Sequence, residues 1–527
     1  MTRLCVAIFV TDLARARRDI AAAADAGADM VELRVDQFND PEPIKSLVAA
    51  STLPCIVTCR PTWEGGQSEL SDAERLGVFR AALDGGASYA DVELAAYRKA
   101  EEFPVRDLFD AAPREKRAGL IVSAHDFAGR PARLHNLVRE LDEAAGDVSK
   151  IVWTARSIRD NVEAFELLRD RRKPTIALCM GEAGLASRVL ARKFGAFLTF
   201  AALPGDAGTA PGQVSVADMK NLYRWDAINA ATRVYGVVAQ PVMHSMSPAI
   251  HNAAFAATAH NGVYLPLLVE GSYESFKAFM ETFLAFEPLD LAGLSVTLPH
   301  KANALRYLRE RAADLTDIEP LAATIGAVNT IDIRRANGAV RLRGFNTDYA
   351  AILDSITDKL RIRREDLENY RVAVIGAGGT GRTAVAALAH YGATVVVYNR
   401  TRERADALAA EFNGHRGHVV AAPMDKLCDS CCHIYLNTTS VGMYPKIDES
   451  PLGDRPPKFT PDTLVFDTIY NPPLTKLLAH AEAAGARTIG GIEMFVRQAA
   501  AQFEAWTGKE APAALMRQVI ERRLAGG

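Results

Sequence analysis

Lys150 is the residue whose position most invites chemistry, because it stands directly before the strand-like run Ile151–Thr154. Read plainly, it is a surface lysine leading into a strand. Pointing instead into an apolar barrel, it would be desolvated, its pKa would fall, and it could attack a ketone to form a Schiff base. His125, one strand earlier, could move protons near that imine. Glu32, Arg34, Asp36, Arg60, Glu93 and Asp126 also follow strand-like runs. Any one of them is most often a solvated loop residue, so the argument rests on their coincidence. Three arginines at such positions, Arg34, Arg60 and Arg188, suggest an anionic ligand, since guanidinium binds carboxylate in a fork.

A second chemical feature lies far downstream. Val372–Ile375 reads as a buried strand, Gly376-Ala377-Gly378-Gly379-Thr380-Gly381 as a turn, and the segment after it as a helix of small apolar residues. Glycines permit a sharp turn and close approach of a ligand, and the following helix aims free N–H groups at a phosphate. Many strand-to-helix turns are glycine-rich for steric reasons alone, so context must decide. The next strand, Thr394–Tyr398, ends in Asn399, with Arg400, Thr401 and Arg404 behind it. An NAD site would place Asp or Glu there. Arginines instead suit a 2′-phosphate, which favours NADP. A merely basic helix start is a poor alternative, because the helix dipole disfavours cations there.

The elements that would carry these residues follow from the pattern. Strand-like runs at 4–10, 30–35, 55–59, 89–94, 119–124, 151–154, 175–179 and 196–200 alternate with Ala-, Arg- and Glu-rich helical segments. Eight strand–helix rounds in about 220 residues predict a (β/α)8 barrel with its chemistry at the carboxyl ends of the strands. An open doubly wound sheet is the alternative, but no glycine fingerprint follows the first strand. A short junction near Thr232, without a Pro/Gly/Ser spacer, predicts two halves that touch. The 527 residues are too many for one ordinary domain. The formal charge of −3 gives no reason to expect nucleic acid or an anionic membrane as partner. No apolar run is long enough to span a bilayer, and the opening run is too short for a signal peptide, so a cytoplasmic protein is expected. The seven cysteines include Cys428-Asp-Ser-Cys431-Cys432, which lacks partner ligands. Reduced thiols are expected there, and no metal.

The first half resembles the type I 3-dehydroquinate dehydratases. Glu32-Leu-Arg-Val-Asp36, Thr58-Cys-Arg60 with Glu64-Gly-Gly, Asp91-Val-Glu93, Ser123-Ala-His-Asp-Phe127, Lys150-Ile, Ser187-Arg188 and Ala210-Pro-Gly-Gln213 occur in that family's order over about residues 1–226. The resemblance implies that Lys150 is the Schiff-base lysine and His125 the general acid/base. It implies that Glu32, Arg34, Arg60, Glu64, Arg188 and Gln213 contact substrate, with Pro204–Ala210, including Thr209, as a lid. The implied reaction is an imine-assisted dehydration that yields 3-dehydroshikimate.

The second half resembles shikimate dehydrogenase over about residues 233–527. The shared signatures are His244-Ser-x-Ser-Pro, Ser295-Val-Thr-x-Pro-His-Lys301, Ile325-Gly-Ala-Val-Asn-Thr330, Asn346-Thr-Asp348, the glycine loop, Asn399-Arg-Thr401, Asn437-Thr-Thr-Ser-Val-Gly-Met443, Asp467-x-x-Tyr-Asn-Pro472 and Gln498-Ala-Ala-x-Gln-Phe. Taken singly, Ser245 and Ser247 before a proline are ordinary helix caps, Lys301 a surface lysine and Asp348 a cap carboxylate. The resemblance implies more. Lys301 and Asp348 become the catalytic pair. Ser245, Ser247, Thr297, Asn329, Tyr470 and Gln498 bind the carboxylate and hydroxyls of the substrate. The residues of the turn 376–381, with Asn399, Arg400, Thr401, Arg404, Thr468 and Gly491, hold NADP(H). Ser295 departs from the asparagine that many members carry, and a serine reaches less far. Ile331–Arg343 reads as a local insertion or extended hairpin. The expected fold is a substrate lobe over 233–348, completed by about 491–527, and a Rossmann NADP-binding lobe over 349–490.

The product of the first reaction is the substrate of the second, so the two resemblances together imply a bifunctional shikimate-pathway enzyme acting on small molecules, as a monomer or small homo-oligomer. Two rivals stand beside it. The second half could act mainly as a quinate dehydrogenase, although paired serines and NADP-type arginines lean toward shikimate. The chain could also be a non-catalytic metabolite sensor, although Lys150, His125, Lys301 and Asp348 are all present and no basic segment is appended.

Overall fold

The computed structural model describes residues 1–38, 40–110, 117–203, 212–414, 416–453 and 457–525. Alternation along eight strands builds the first half: β1 (Arg3–Phe9), β2 (Met30–Arg34), β3 (Cys55–Thr58), β4 (Tyr89–Glu93), β5 (Gly119–Asp126), β6 (Val148–Thr154), β7 (Thr175–Met180) and β8 (Leu198–Ala201). They form one parallel sheet in the order β7-β6-β5-β4-β3-β2-β1-β8. The Phe197 N–H donates to the Thr175 carbonyl at 2.8 Å, which brings β8 back toward β7 and curls the sheet into a near-closed barrel. Successive side chains of a strand face opposite ways, so each strand serves two cores. Leu4, Val6, Val31, Leu33, Val57, Ala90, Val122, Ile151 and Trp153 pack outward against the helices. Cys5, Ala7, Met30, Ile56, Ile121, Val148, Ile176, Leu198 and Phe200 fill the interior.

That parity decides where charge goes. Counting in twos from interior Met30 reaches Glu32 and Arg34, from Ile121 reaches Ser123 and His125, and from Val148 reaches Lys150. The barrel is therefore apolar at its amino end and ionic at its carboxyl end. Two strands, β6 and β5, run further than expected. β6 begins at Val148 rather than Ile151, and β5 runs on to Asp126. Ladder pairing of Ser123 with Lys150 and of His125 with Val152 extends both strands over residues of low strand propensity.

In the second half, β9 (Arg233–Ala239), β10 (Gly262–Leu268), β11 (Leu291–Val296), β12 (Thr316–Ile318), β13 (Thr330–Ala336) and β14 (Ala339–Phe345) form a mixed sheet in the order β10-β9-β11-β13-β14-β12. The segment 331–343 is an antiparallel hairpin. Asn337 and Gly338 both take positive φ, 53° and 75°, as its two-residue turn requires. A third sheet holds β15 (Arg371–Ile375), β16 (Thr394–Tyr398), β17 (His418–Ala422), β18 (Ile434–Asn437), β19 (Leu464–Asp467) and β20 (Arg487–Ile489). It is wholly parallel in the order β17-β16-β15-β18-β19-β20, so its chain order reverses between β15 and β18, where open α/β sheets bind ligands.

Helix Gly491–Thr507 returns to the mixed sheet, where the Trp506 indole N–H donates to the Ile331 carbonyl at 3.2 Å. Helix Ala513–Ala525 follows and buries Met516 and Ile520 beside Tyr235 and Phe255. The two halves touch. Lys193 donates to the carbonyls of Ala230 (2.9 Å) and Thr232 (2.7 Å), and Phe286 of the second half packs against Phe165 and Phe194 of the barrel. All seven cysteines carry free thiols. Among the described residues no helix is long and apolar enough to cross a membrane.

Candidate functional sites

The mouth of the barrel collects Glu32, Arg34, Arg60, Glu64, His125, Lys150, Arg188 and Gln213 around one cavity. Thr209 and the rest of the expected lid lie outside the described residues. Lys150 Nζ stands 2.7 Å from Asp91 Oδ2 and 3.2 Å from Glu32 Oε1, with the Phe200 ring centre 4.7 Å away. The sequence reading put this lysine in apolar surroundings. They are ionic instead, because the inward positions of β2 and β4 carry carboxylates.

Several expected ligand-binding groups are already engaged by the protein. The Arg60 nitrogens donate to Asp91 (2.7 Å), Glu93 (2.8 Å) and Ser123 (2.8 Å). Burial alone would lower Arg60, but Asp91, Glu93 and Glu32 hold it above its ordinary value. Arg34 forks onto Asp36 at 3.1 and 2.6 Å, and Glu32 accepts from the Thr58 hydroxyl at 2.9 Å. Asp36 in turn accepts from the backbone N–H groups of Arg60 and Gln67, both at 3.0 Å, which fixes the loop after β3.

Arg188 is the exception. It is 1 % exposed, lines the cavity, and none of its three guanidinium nitrogens has a partner among the described residues. Burial pulls it down to about 10. A buried guanidinium with its donors unspent is costly unless an anion arrives to meet them. His125 is held by Glu64, whose Oε1 accepts from the His125 backbone N–H at 2.8 Å and lies 3.3 Å from its ring Nδ1. Burial first, then Arg60 and Lys150, push the imidazole well below its ordinary value, so the ring is neutral and able to take a proton. Glu64 is pushed up to about 7 by burial, against the pull of Arg60.

A second cavity of about 390 Å³ lies between the mixed and parallel sheets. Ser245, Ser247, Thr297, Lys301, Asn329, Asp348, Thr380, Thr468, Tyr470, Gly491 and Gln498 all line it. Lys301 opens helix Lys301–Glu310, and its Nζ lies 2.5 Å from Asp348 Oδ2. Asp348 does not cap helix Thr347–Leu360. Asn346 does, accepting the Asp348 N–H at 3.0 Å, and this leaves the Asp348 carboxylate for the lysine. Asn329 is oriented by Thr347, whose N–H it accepts at 2.8 Å. Ser245 accepts the Ser247 N–H at 3.2 Å, a turn bond that sets the helix start. Ser295 is tied up by its neighbours, accepting from the Tyr264 hydroxyl at 2.7 Å and donating to Gln502 Oε1 at 2.8 Å. Gln502 also lines the cavity; it stands in the signature Gln498-Ala-Ala-x-Gln-Phe, but the sequence reading assigns it no role. Its spacing of four from Gln498 on one helix was the available signal.

The glycine turn is open where a phosphate would lie. A Cβ at Gly378 or Gly379 would meet nothing within 4 Å, whereas one at Gly381 would sit 2.1 Å from the Gly376 carbonyl oxygen. Gly376 has φ +112°. The turn thus needs glycine for its shape at two places and leaves the amino end of helix Gly379–His390 uncovered at two others. Asn399 ties the turn to β16, accepting the Ala377 N–H at 3.1 Å and donating to the Thr401 carbonyl at 2.7 Å. Arg400 and Arg404 are exposed, and their side chains have no partner among the described residues. At Gly491 a Cβ would fall 2.4 Å from Ile469 and Thr468 backbone atoms, so its side chain is excluded by packing. These features fit a dinucleotide phosphate.

Family models match separate parts of the chain. Residues 4–230 match the family model described as type I 3-dehydroquinase. Residues 237–331 match the shikimate dehydrogenase substrate binding domain, 358–434 shikimate / quinate 5-dehydrogenase, and 491–521 the shikimate 5′-dehydrogenase C-terminal domain. The bifunctional 3-dehydroquinate dehydratase/shikimate dehydrogenase of Arabidopsis thaliana, a chloroplastic protein, is 38% identical over 98% of this chain and 84% of its own length. A shikimate dehydrogenase (NADP(+)) of Moorella thermoacetica is 37% identical over 56% of this chain and 95% of its own. Among solved structures, the dehydroquinate dehydratase and shikimate dehydrogenase of S. pombe covers 99% of this chain and 98% of its own at 25% identity, with a TM-score of 0.43.

Proposed function

We propose how each half works from the premise that this chain belongs to the family of bifunctional 3-dehydroquinate dehydratase/shikimate dehydrogenases. It is a lyase and an oxidoreductase in one polypeptide. We assign residues 1–226 to the dehydratase, 233–348 with about 491–527 to the shikimate lobe, and 349–490 to the NADP lobe. The observation that carries the reading is the buried Arg188, without a partner among the described residues, in the same barrel mouth as Lys150.

Lys150 attacks the ring ketone of 3-dehydroquinate and loses water to give an iminium, an electron sink that acidifies the neighbouring carbon. His125, neutral and held by Glu64, removes that proton and then returns one to the departing hydroxyl. Hydrolysis frees 3-dehydroshikimate and restores Lys150. Arg188 takes the substrate carboxylate, and Arg34, Arg60, Glu32 and Gln213 hold the hydroxyls.

In the second cavity, Ser245, Ser247, Thr297, Asn329, Tyr470 and Gln498 bind the carboxylate and hydroxyls of the product. This dense polar set suits a polyhydroxy acid, since each unmatched buried polar group costs about 1–3 kcal/mol. NADPH, when bound, supplies the hydride. The residues of the turn 376–381 with Thr401, Thr468 and Gly491 would hold its phosphates and ribose, and Arg400 and Arg404 would bind its 2′-phosphate. Lys301, oriented by Asp348, gives a proton to the carbonyl oxygen. A coupled assay tests the whole reading. Purified protein given 3-dehydroquinate and NADPH should consume NADPH and release shikimate, with far slower turnover on NADH. Failure to oxidise NADPH, with 3-dehydroshikimate supplied directly, sinks the second assignment.

Two further results are expected from the first half. Arg188→Met removes an uncompensated buried charge, so thermal unfolding without ligand should move upward, by about 1–4 kcal/mol of stability. The KM for 3-dehydroquinate should rise about 100-fold, the loss of a charge-assisted fork. A destabilised variant with unchanged KM contradicts the assignment.

The second concerns pH. Glu64 has a folded value raised from 4.5 to about 7, so its contribution to stability is full below pH 4.5 and is lost as pH rises through about 7. Activity should run the other way. Ionised, Glu64 accepts the Nδ1–H of His125 and leaves Nε2 free as a base; protonated, it donates to Nδ1 and removes that base. Dehydration should therefore rise with pH through about 7, and Glu64→Gln should flatten the profile there.

A further inference from the structure

Asp91 has no part in the assignment above, yet its Oδ2 lies closer to Lys150 Nζ than Glu32 Oε1 does, 2.7 Å against 3.2 Å. It sits in the middle of β4, fully buried, and its position is fixed from behind. Its other oxygen, Oδ1, accepts from Arg60 Nη2 at 2.7 Å and from the Ser123 hydroxyl at 2.6 Å. Arg60 is itself anchored on Glu93, and Glu93 is held by Arg75, a buried arginine of helix Asp72–Asp84 that also donates to the Cys59 carbonyl. Two oxygens thus have two tasks: Oδ1 belongs to the frame, and Oδ2 is aimed at the nitrogen. Burial pushes the Asp91 carboxyl up, but Arg60 and Lys150 outweigh it and hold the group well below the usual carboxylate range. Asp91 stays an anion.

The chemistry proposed for Lys150 makes this geometry consequential. Counted from the ammonium, imine formation is R–NH₃⁺ + O=C → R–NH⁺=C + H₂O. Two hydrogens leave with the carbonyl oxygen as water, one stays on nitrogen, and the positive charge is conserved. Before the reaction the nitrogen has hydrogens for both carboxylates. Afterwards a single N–H remains, and it can satisfy one. We propose that Asp91 is a catalytic residue of the dehydratase: its Oδ2 accepts the single N–H of the Lys150 iminium, fixing the charge and the plane of the imine while the neighbouring proton is removed. Glu32, further away, is released from nitrogen at that step and turns to the substrate hydroxyls. The inference rests on the Schiff-base assignment of Lys150.

The test uses the full chain, 3-dehydroquinate and borohydride, with the reduced adduct quantified by mass spectrometry and kcat and KM measured in parallel. Asp91→Asn keeps the shape and removes the charge. The trapped fraction at saturating substrate should fall, and kcat should fall about 100-fold, the scale for loss of one preorganised electrostatic contact in a closed site. Glu32→Gln should retain most of the trapped fraction. Asp91→Glu, which keeps the charge at a displaced position, should regain about 10-fold of the lost rate. It also decides the matter if the asparagine variant fails to fold in a thermal melt. Wild-type trapping and kcat in Asp91→Asn, or a Glu32→Gln variant that loses as much trapped adduct as Asp91→Asn, overturns the proposal. Labelling that persists in Lys150→Ala overturns instead the Schiff-base reading beneath it, so the two failures are distinguishable.

Discussion

Lys150→Ala is expected to lower dehydration of 3-dehydroquinate by at least about 10⁴-fold, because the residue supplies the covalent step and not merely its environment. Borohydride with substrate should label the wild-type protein covalently and leave the variant unlabelled. Reduction of 3-dehydroshikimate by the same chain should continue at its ordinary rate, which makes the second half an internal measure of protein concentration and integrity. The substitution also strips Asp91 and Glu32 of a cation in a buried setting, and breaking such a set costs about 3–5 kcal/mol. A thermal melt therefore accompanies the assay, which is run below the lowered transition. A loss of rate with labelling intact would mean that another nucleophile carries the chemistry.

Lys301→Ala carries the second large effect, on the other activity. General acid catalysis contributes about 10²–10⁴-fold, and with Lys301 the only cation lining the cavity among the described residues, kcat for reduction should fall about 10³-fold. KM for 3-dehydroshikimate should change by less than about 10-fold, because the serines, Asn329 and Gln498 retain their contacts. Asp348→Asn should fall less far, since it leaves the lysine in place and removes only what orients it at 2.5 Å. Dehydration should be untouched by either change. A Lys301→Ala variant with normal kcat and a raised KM would reduce the lysine to a binding group.

Much of this was legible before the fold was known. Alternation of strand and helix predicted the barrel, and the glycine turn with Asn399 and Arg400 predicted a parallel nucleotide-binding sheet. The lysines and His125 were identifiable from the motifs that surround them. These features are local, or repeat at fixed spacing, and a linear sequence records both kinds faithfully. Even the inward row was partly readable, since Glu32 with Arg34, Asp91 with Glu93, and Ser123 with His125 are pairs two apart on strands, and such pairs share a face.

What only the tertiary structure decided is which charges meet. Lys150 and Asp91 are 59 residues apart, and Lys301 and Asp348 are 47 apart, on elements that touch only after the sheets form. The sequence placed Lys150 before a strand and in apolar company. Ladder pairing drew it inside β6, and the curl of the sheet set two carboxylates against it. Nor could a sequence show that Arg60 already has carboxylate partners while Arg188 has none among the described residues, because a partner's presence is a fact about distance. The types and spacing of residues thus determined two chemistries and their folds. Closure of the barrel and packing of the lobes determined the pairings, because electrostatic energy depends on separation in space and not along the chain.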